Sequence, residues 1–359
     1  MSEILNLSGS GLISKEGKPI MIAGPCSAES EKQVLDTAIE LSKIGITVFR
    51  AGVWKPRTRP DTFEGMGSEA LPWLRKVKEK TGMLVATEVA NVWHVKEALK
   101  HKIDILWIGA RTTANPFAVQ EIADSVRGLD IPVFVKNPVN PDIELWIGAL
   151  ERLNNSGINR LVAVHRGFSH YGDSPYRNLP QWEIPIELKR RFPDLPIITD
   201  PSHICGSKEM LFQISQVAMD LDFDGLFIES HIDPSKALSD SQQQITPVGL
   251  KNLLDGLIHR NPDVNGVSHI EGLENLRRQI DQWDDELLRI LKNRMSISEK
   301  IGEYKKRENI TILQTVRWSE ILETRLGKAR DMGLDDQFII QVFKQIHQES
   351  INLQNRVMN

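Results

Sequence analysis

Cysteine is nearly absent: Cys26 and Cys205 are the two in 359 residues. Two distant thiols build no disulfide framework, so the chain must cohere by burial, and a reducing cytoplasm is the expected compartment. No apolar run is long enough to cross a membrane. Neither sign of charge dominates: 44 Lys and Arg stand against 48 Asp and Glu, a formal net charge of -4. That leaves no broad basic footprint for nucleic acid. The opening MSEILNLSGSGLISKEGKP has neither the basic start nor the apolar stretch of a secretory leader. Internal repeats and low-complexity tracts are missing too. What is present is a chain 40% hydrophobic, long enough for several domains or for one large α/β barrel with an attachment.

From Lys18 to about His231 the sequence returns eight times to a short, β-branched apolar run: PIMIAGPCS, ITVFRAG, LVATEV, ILWIGAR, PVFVKNP, LVAVHRG, PIITDPSH and GLFIESH. Helical patterns separate them. Such runs suit parallel strands buried on both faces, and eight strand-helix units in about 240 residues predict a (β/α)8 barrel whose site lies where the strands end.

The residues at those ends are Cys26, Arg50, Glu88, Arg111, Lys136, Arg166, His203 and Glu229, with Asp240 in the loop after the eighth. Charges at the ends of buried strands are costly unless paired or bound, so the ring needs partners. A structural ion-pair network would satisfy part of it. Cys26, His203, Glu229 and Asp240 also combine sulfur, nitrogen and carboxylate oxygen, a donor set for a divalent transition ion rather than Mg2+. Arg50, Lys55, Arg57, Arg111, Lys136 and Arg166 supply ammonium and guanidinium groups, which fit phosphate and carboxylate. So many cations at one mouth point to small phosphorylated acids or sugars.

In this order, GPCS, RAGVWKPRTRP, GAR, VFVKNP, HRG, DPSH, IESH and HIDPSKALSD resemble the 3-deoxy-D-arabino-heptulosonate 7-phosphate (DAHP) synthases, of the short-barrel subgroup shared with 3-deoxy-octulosonate 8-phosphate synthases. The resemblance covers about residues 15 to 260. It implies condensation of phosphoenolpyruvate with an aldose phosphate, and one divalent metal ion per barrel: Mn2+ first, with Fe2+, Co2+ or Zn2+ as alternatives. It makes Cys26, His203, Glu229 and Asp240 the metal ligands. Arg50 and Lys55 fall near the phosphoenolpyruvate carboxylate, Arg111, Lys136 and Arg166 on its phosphate, and Arg57 and Thr58 on the aldose phosphate. Lys136 is also a candidate proton carrier, and Glu88 either orients this network or pairs with a neighbouring Arg. KPRT marks erythrose 4-phosphate users, whereas octulosonate synthases carry a KANR-type motif. Two departures stand out: Arg59 replaces a small hydroxyl residue, and GFSHYGDSPYRN replaces a GIRTFE-like continuation after Arg166.

After a turn-rich linker, residues 261–270, the period changes. Leu273, Leu276, Ile280, Trp283, Leu287, Ile290, Ile297, Ile301 and Tyr304 keep a 3-4 spacing that predicts one helix from about Glu271 to Lys306, followed by helices near Thr315–Met332 and Asp335–Met358. Arg294 interrupts the apolar seam, and Lys305 follows on the same side. Arg277 precedes Arg294 by roughly 25 Å of helix axis, too far to share one small ligand within a chain, so an antiparallel second chain is expected. LRRQIDQWDDELLRILKNRMSISEKIGEYKK with SINLQ resembles the all-helical chorismate mutases over residues 271 to 356. That resemblance puts the partner's Arg277 and Arg294 on the two carboxylates, Lys305 and Gln354 at the ether oxygen, Ser350 nearby and Gln314 at the substrate hydroxyl. Gln314 stands where Asp is common, and Trp318, beside Arg317, where a catalytic Glu is common.

The expected architecture is therefore a (β/α)8 DAHP synthase barrel over residues 1–260 and an all-α chorismate mutase domain over 271–359. The chain is expected to be cytoplasmic, with no nucleic-acid or membrane partner, and a homodimer through the helices or a tetramer. Expected ligands are phosphoenolpyruvate, erythrose 4-phosphate, chorismate and prephenate, with prephenate or chorismate in the helical site inhibiting the barrel. An octulosonate-type synthase, or a helical domain that only dimerises or senses, are the alternatives. Cys205 reads either as an inert buried thiol or as a redox partner of Cys26.

Overall fold

The computed structural model describes residues 19–56, 62–260 and 270–359, and the chain divides into two compact units, Met1–Pro262 and Asp263–Asn359. In the first, β1 (Ile20–Gly24), β2 (Val48–Arg50), β3 (Leu84–Val89), β4 (Ile105–Ile108), β5 (Val133–Lys136), β6 (Leu161–His165), β7 (Ile197–Thr199) and β8 (Gly225–Glu229) form a closed barrel in sequence order. All pairings are parallel, and β1 closes on β8 with Ile20 opposite Gly225 and Gly24 opposite Glu229. The eight expected strands are thus the eight observed.

Between them lie α1 (Glu31–Lys43), α2 (Leu71–Thr81), α3 (Val92–Lys100), α4 (Ala110–Thr113), α5 (Pro116–Ser125), α6 (Ile143–Asn155), α7 (Glu183–Arg191), α8 (Pro201–Cys205), α9 (Leu211–Asp220) and α10 (Pro247–Gly256). Their starts follow local chemistry. Ser30, Asn91, Asn115 and Asp142 accept from backbone N–H groups of the first turns of α1, α3, α5 and α6, satisfying donors that the helix leaves unpaired.

Alternation along each strand sorts its side chains. Leu106, Ile108, Val133, Val135, Leu226 and Ile228 face outward into the core shared with the helices. Ile22, Val48, Ala86, Trp107, Phe134, Val164, Ile198 and Phe227 fill the barrel interior. Two residues beyond the last of these on their strands stand Arg50, Glu88, Lys136, Arg166, Asp200 and Glu229, so the apolar plug carries a polar layer on its C-terminal side. Two ring positions differ from the strand-end expectation: Arg111 lies on α4 and His203 on α8, because each strand stops earlier and a short helix follows.

The second unit contains α11 (Ile270–Arg307), α12 (Thr315–Asp331) and α13 (Asp336–Met358), close to the expected helices. Residues 261–269 of the expected linker lie outside the described residues.

The closing β8–β1 pairing leaves no room for a side chain at Gly225. A Cβ at Gly225 would sit 2.0 Å from the carbonyl oxygen of Ile20 in the neighbouring strand, and neither backbone can yield without losing the ladder. Gly225→Ala is expected to destabilise the barrel by about 3 kcal/mol through overpacking, read as a lower denaturation midpoint of the full chain in urea.

Candidate active sites

The first site sits on the polar layer of the barrel. Arg50, 1% exposed, lies under its centre, its guanidinium 5.0 Å from the Trp107 ring centroid and 4.7 Å from that of Phe227. From there Nη2 donates to the Cys26 carbonyl at 3.3 Å, and Nη1 stands 3.3 Å from Glu229 Oε1. Lys136 Nζ lies 4.9 Å from the Phe227 ring and donates to Asp200 Oδ2 at 2.7 Å. Burial pulls the Lys136 ammonium below the ordinary lysine value, and Asp200 only partly restores it.

Above this floor a cavity of about 280 Å3 is lined by Lys55, Glu88, Arg111, Lys136, Arg166, Arg177, His203 and Asp240, among others. Arg166, at the end of β6, donates from its backbone to Asn137 Oδ1 and from Nη1 to Asn178 Oδ1, both at 2.7 Å. Its burial lowers the guanidinium to about 10. Glu88 Oε2 accepts from the Trp107 indole N–H at 3.0 Å. Arg57, Thr58 and Arg59 fall outside the described residues.

One edge of the cavity gathers acids. Ligand atoms of Cys26, Glu229 and Asp240 lie within 4.8 Å of one another. His203 Nε2 is 3.8 Å from Glu229 Oε1, while its Nδ1 lies 2.8 Å from Asp200 Oδ2. Burial first, with Glu229 and Asp240, pushes the Cys26 thiol up to about 12. The thiol donates to Asp240 Oδ2 at 3.2 Å and accepts from Lys55 Nζ at 2.9 Å. Glu229 Oε1 is buried without a hydrogen-bond partner. Asp240 has φ 48°, a left-handed conformation that Asp tolerates better than most residues; it carries the loop after β8 back over Cys26. A sulfur, an unsatisfied carboxylate oxygen and a second carboxylate in one buried cluster fit a divalent transition ion, whose charge would relieve their mutual repulsion.

The structure thus brings together Cys26, His203, Glu229 and Asp240, and places Lys55, Arg111, Lys136 and Arg166 around the cavity; Arg50 supports it from below. Three participants were not anticipated. Asp200 was legible, because it is two residues past the interior Ile198, but attention to strand-end motifs passed over it for His203. Arg177 and Gln243 sit in loops without periodic signal, and each touches the acid cluster. Cys205 is a free buried thiol on α8, as is Cys26 at its own position.

In the helical unit, Arg294 Nη1 donates to Ser350 Oγ at 2.6 Å and Ser298 Oγ to the same atom at 3.2 Å. Lys305 Nζ donates to the Ile312 carbonyl at 2.5 Å, and burial pulls its ammonium down. Gln354 is buried, with its Oε1 unpartnered. Gln314, at the start of α12, lines a cavity of about 410 Å3 with Lys305. Arg294, Lys305, Ser350 and Gln354 therefore converge between α11 and α13. Arg277 remains exposed on α11, paired with Glu274 at 2.6 Å. Trp318 stacks on His347 with ring centroids 4.0 Å apart.

Comparison with known proteins matches residues 5–260 to the DAHP synthetase I family and residues 276–355 to chorismate mutase type II. The phospho-2-dehydro-3-deoxyheptonate aldolase of Thermotoga maritima is 34% identical over 225 residues, spanning 63% of this chain and 64% of that one. The chain therefore covers just under two thirds of that relative. A 2-dehydro-3-deoxyphosphooctonate aldolase of Desulfotalea psychrophila is 30% identical over 273 residues, 70% of this chain and 93% of that one. The crystal structure of a Thermotoga maritima DAHP synthase superposes with a TM-score of 0.61 at 31% identity, covering 67% of this chain and 68% of that one. By these matches and by its closed eight-stranded barrel, the chain belongs to the DAHP synthetase I family and carries a type II chorismate mutase domain after the barrel.

Proposed function

We propose that the chain is a bifunctional shikimate-pathway enzyme. Its barrel condenses phosphoenolpyruvate with erythrose 4-phosphate to DAHP and phosphate, and its helices rearrange chorismate to prephenate. The observation that carries the first reading is the convergence of five cationic side chains on one cavity at the C-terminal mouth, edged by the Cys26, Glu229 and Asp240 cluster with His203 Nε2 3.8 Å from Glu229 Oε1. Domain limits of 1–260 and 271–359 accompany this reading.

In this reading Arg111, Lys136 and Arg166 hold the enol phosphate, with Lys55 and, from below, Arg50 near its carboxylate, and Arg57 and Thr58 at the aldose phosphate. Cys26, His203, Glu229 and Asp240 would hold a divalent ion, Mn2+ first, with Fe2+, Co2+ and Zn2+ as alternatives. When bound, such an ion supplies Lewis-acid polarisation of an aldehyde oxygen. The chain's own residues orient the two substrates and meet the phosphate's charge as its C–O bond breaks. Lys136, with its lowered ammonium and its bond to Asp200, is the group best suited to carry a proton into the cavity.

The helical site needs no nucleophile, since the rearrangement is intramolecular: Arg294 holds a carboxylate, Lys305 and Gln354 meet the ether oxygen, and Ser350 and Gln314 lie beside them. Trp318 packs on His347, and so does not supply the carboxylate common at its position. A second copy of the chain completes the site. Along α11 the usual order is inverted: Ser298 and Lys305 are buried, while Ile280, Trp283, Leu287, Ile290 and Ile297 are each more than half exposed. An apolar stripe of that length calls for a partner surface, and an antiparallel second α11 would also deliver Arg277. With entry step and later branch step on one chain, prephenate in the helical site is proposed to inhibit the barrel, which requires two barrel states of unequal affinity for it.

Three outcomes follow. Loss of enol-phosphate absorbance should be seen with erythrose 4-phosphate, cease on chelation and return with Mn2+; turnover with arabinose 5-phosphate in its place would establish the octulosonate alternative. Trp283→Asp with Ile290→Asp should convert the dimer to a monomer in sedimentation and lower mutase kcat/KM at least about 10-fold by removing the partner's Arg277, a loss of about 1.4 kcal/mol of transition-state stabilisation. Saturating prephenate should suppress barrel turnover in the native chain but not in Arg294→Ala; suppression retained in that variant would place the regulatory site elsewhere.

A further inference from the structure

We propose that Arg177 and Gln243 form a two-residue relay that turns one oxygen of Asp240 and one of Glu229 toward the ion site and holds the other oxygen of each away from it. The inference rests on the metal-site reading above and concerns how the carboxylates are aimed. Arg177 Nη1 donates to Asp240 Oδ1 at 3.0 Å and to Gln243 Oε1 at 2.7 Å. Gln243, 1% exposed, in turn donates from Nε2 to Glu229 Oε2 at 2.7 Å. The oxygens left over are Asp240 Oδ2, which faces the Cys26 thiol, and Glu229 Oε1, which is buried with no hydrogen-bond partner and with the Arg50 guanidinium beside it at 3.3 Å. These are the oxygens a cation would take.

The relay has one workable polarity. Guanidinium only donates and carboxylate only accepts, so an amide between them satisfies both only with its oxygen toward Arg177 and its nitrogen toward Glu229. Removing Arg177 frees the Gln243 amide to turn, and Glu229 Oε2 loses its fixed partner although Arg177 does not touch it.

Arg177 is itself held by the helix that bears a third donor. Its backbone N–H reaches the Cys205 carbonyl at 3.4 Å, and Asn178 Nδ2 donates to the His203 carbonyl at 2.6 Å. Its stem lies so close to Gly206 that a Cβ there would meet the Arg177 Cβ at 2.6 Å. Gly206, at φ +70°, ends α8 and lets the β6–α7 loop approach. Arg177 therefore ties the loop after β6 to α8 and to the loop after β8, aligning donors from three segments. It is a positioning residue: it acts through Asp240 and Glu229.

The test is the apparent dissociation constant of Mn2+ alone for the full-length apo chain, measured by competition with a fluorescent chelator. Groups that orient metal ligands contribute 10- to 100-fold to affinity. Arg177→Met and Gln243→Leu should each weaken Mn2+ by about 10-fold or more, and the double variant should be little worse than the poorer single one, because both break the same relay. Arg177→Lys, which keeps one donor, should fall between. Gln243→Leu gives an independent reading should Arg177→Met lower the melting temperature of the apo chain. Cys26→Ser separates the two levels of the argument. If it abolishes Mn2+ binding while Arg177→Met and Gln243→Leu stay within twofold of the native chain, the relay is wrong and the ion site stands. If Cys26→Ser binds Mn2+ as tightly as the native chain, the ion site itself is wrong.

Discussion

The buried pair of Arg50 and Glu229 is the constraint around which the barrel's mouth is arranged. Both side chains are essentially inaccessible, at 1% and 0%. Removing two charges from water costs several kcal/mol per ion unless each is surrounded by partners. Arg50 meets that cost in three ways: it lies over Trp107 and Phe227, it donates to the Cys26 carbonyl, and it stands beside Glu229. The aromatic faces are the top of the apolar plug, so the core of the barrel and the floor of the site are the same side chains.

From that floor the electrostatics propagate outward. Burial alone would raise Glu229, but His203 and Arg50 hold it below the ordinary carboxylate value. Burial likewise opposes the Lys55 ammonium, and Cys26, Glu229 and Glu88 outweigh it. Asp200, held well below its usual value by His203 and Lys136 against its burial, joins the Lys136 ammonium to the His203 imidazole. Acids and cations thus partly compensate one another across strands, which lets charged groups gather inside a buried mouth that keeps an excess of cations. The helical unit meets the same problem differently. It buries Lys305 against a backbone carbonyl and half-buries Arg294 against Ser350.

Much of this was legible without coordinates. Short β-branched apolar runs marked the strands, and the residues closing them included Arg50, Glu88, Lys136 and Glu229; the backbone pleat turns these four to the same side as the barrel interior. The 3-4 seam of α11 showed both its helical state and its break at Arg294. Arg111 and His203 were also found, through their motifs, although they stand on short helices rather than strand ends. Asp200 was available by the same parity and was overlooked in favour of the more familiar imidazole.

By itself the amino-acid sequence determined the order of elements, the barrel, the helical tail and the chemical types gathered at each strand end, since all of these follow from local period and from connection rules between neighbours. Only the tertiary structure decided that Cys26 faces Asp240, 214 residues away, that Arg50 is buried support while Lys55 lines the cavity, and that Arg177 and Gln243 share the carboxylates. Those choices are made where loops from different strands meet. No periodicity links such positions along the chain, and a side chain's partner there is set by closure of the barrel in space.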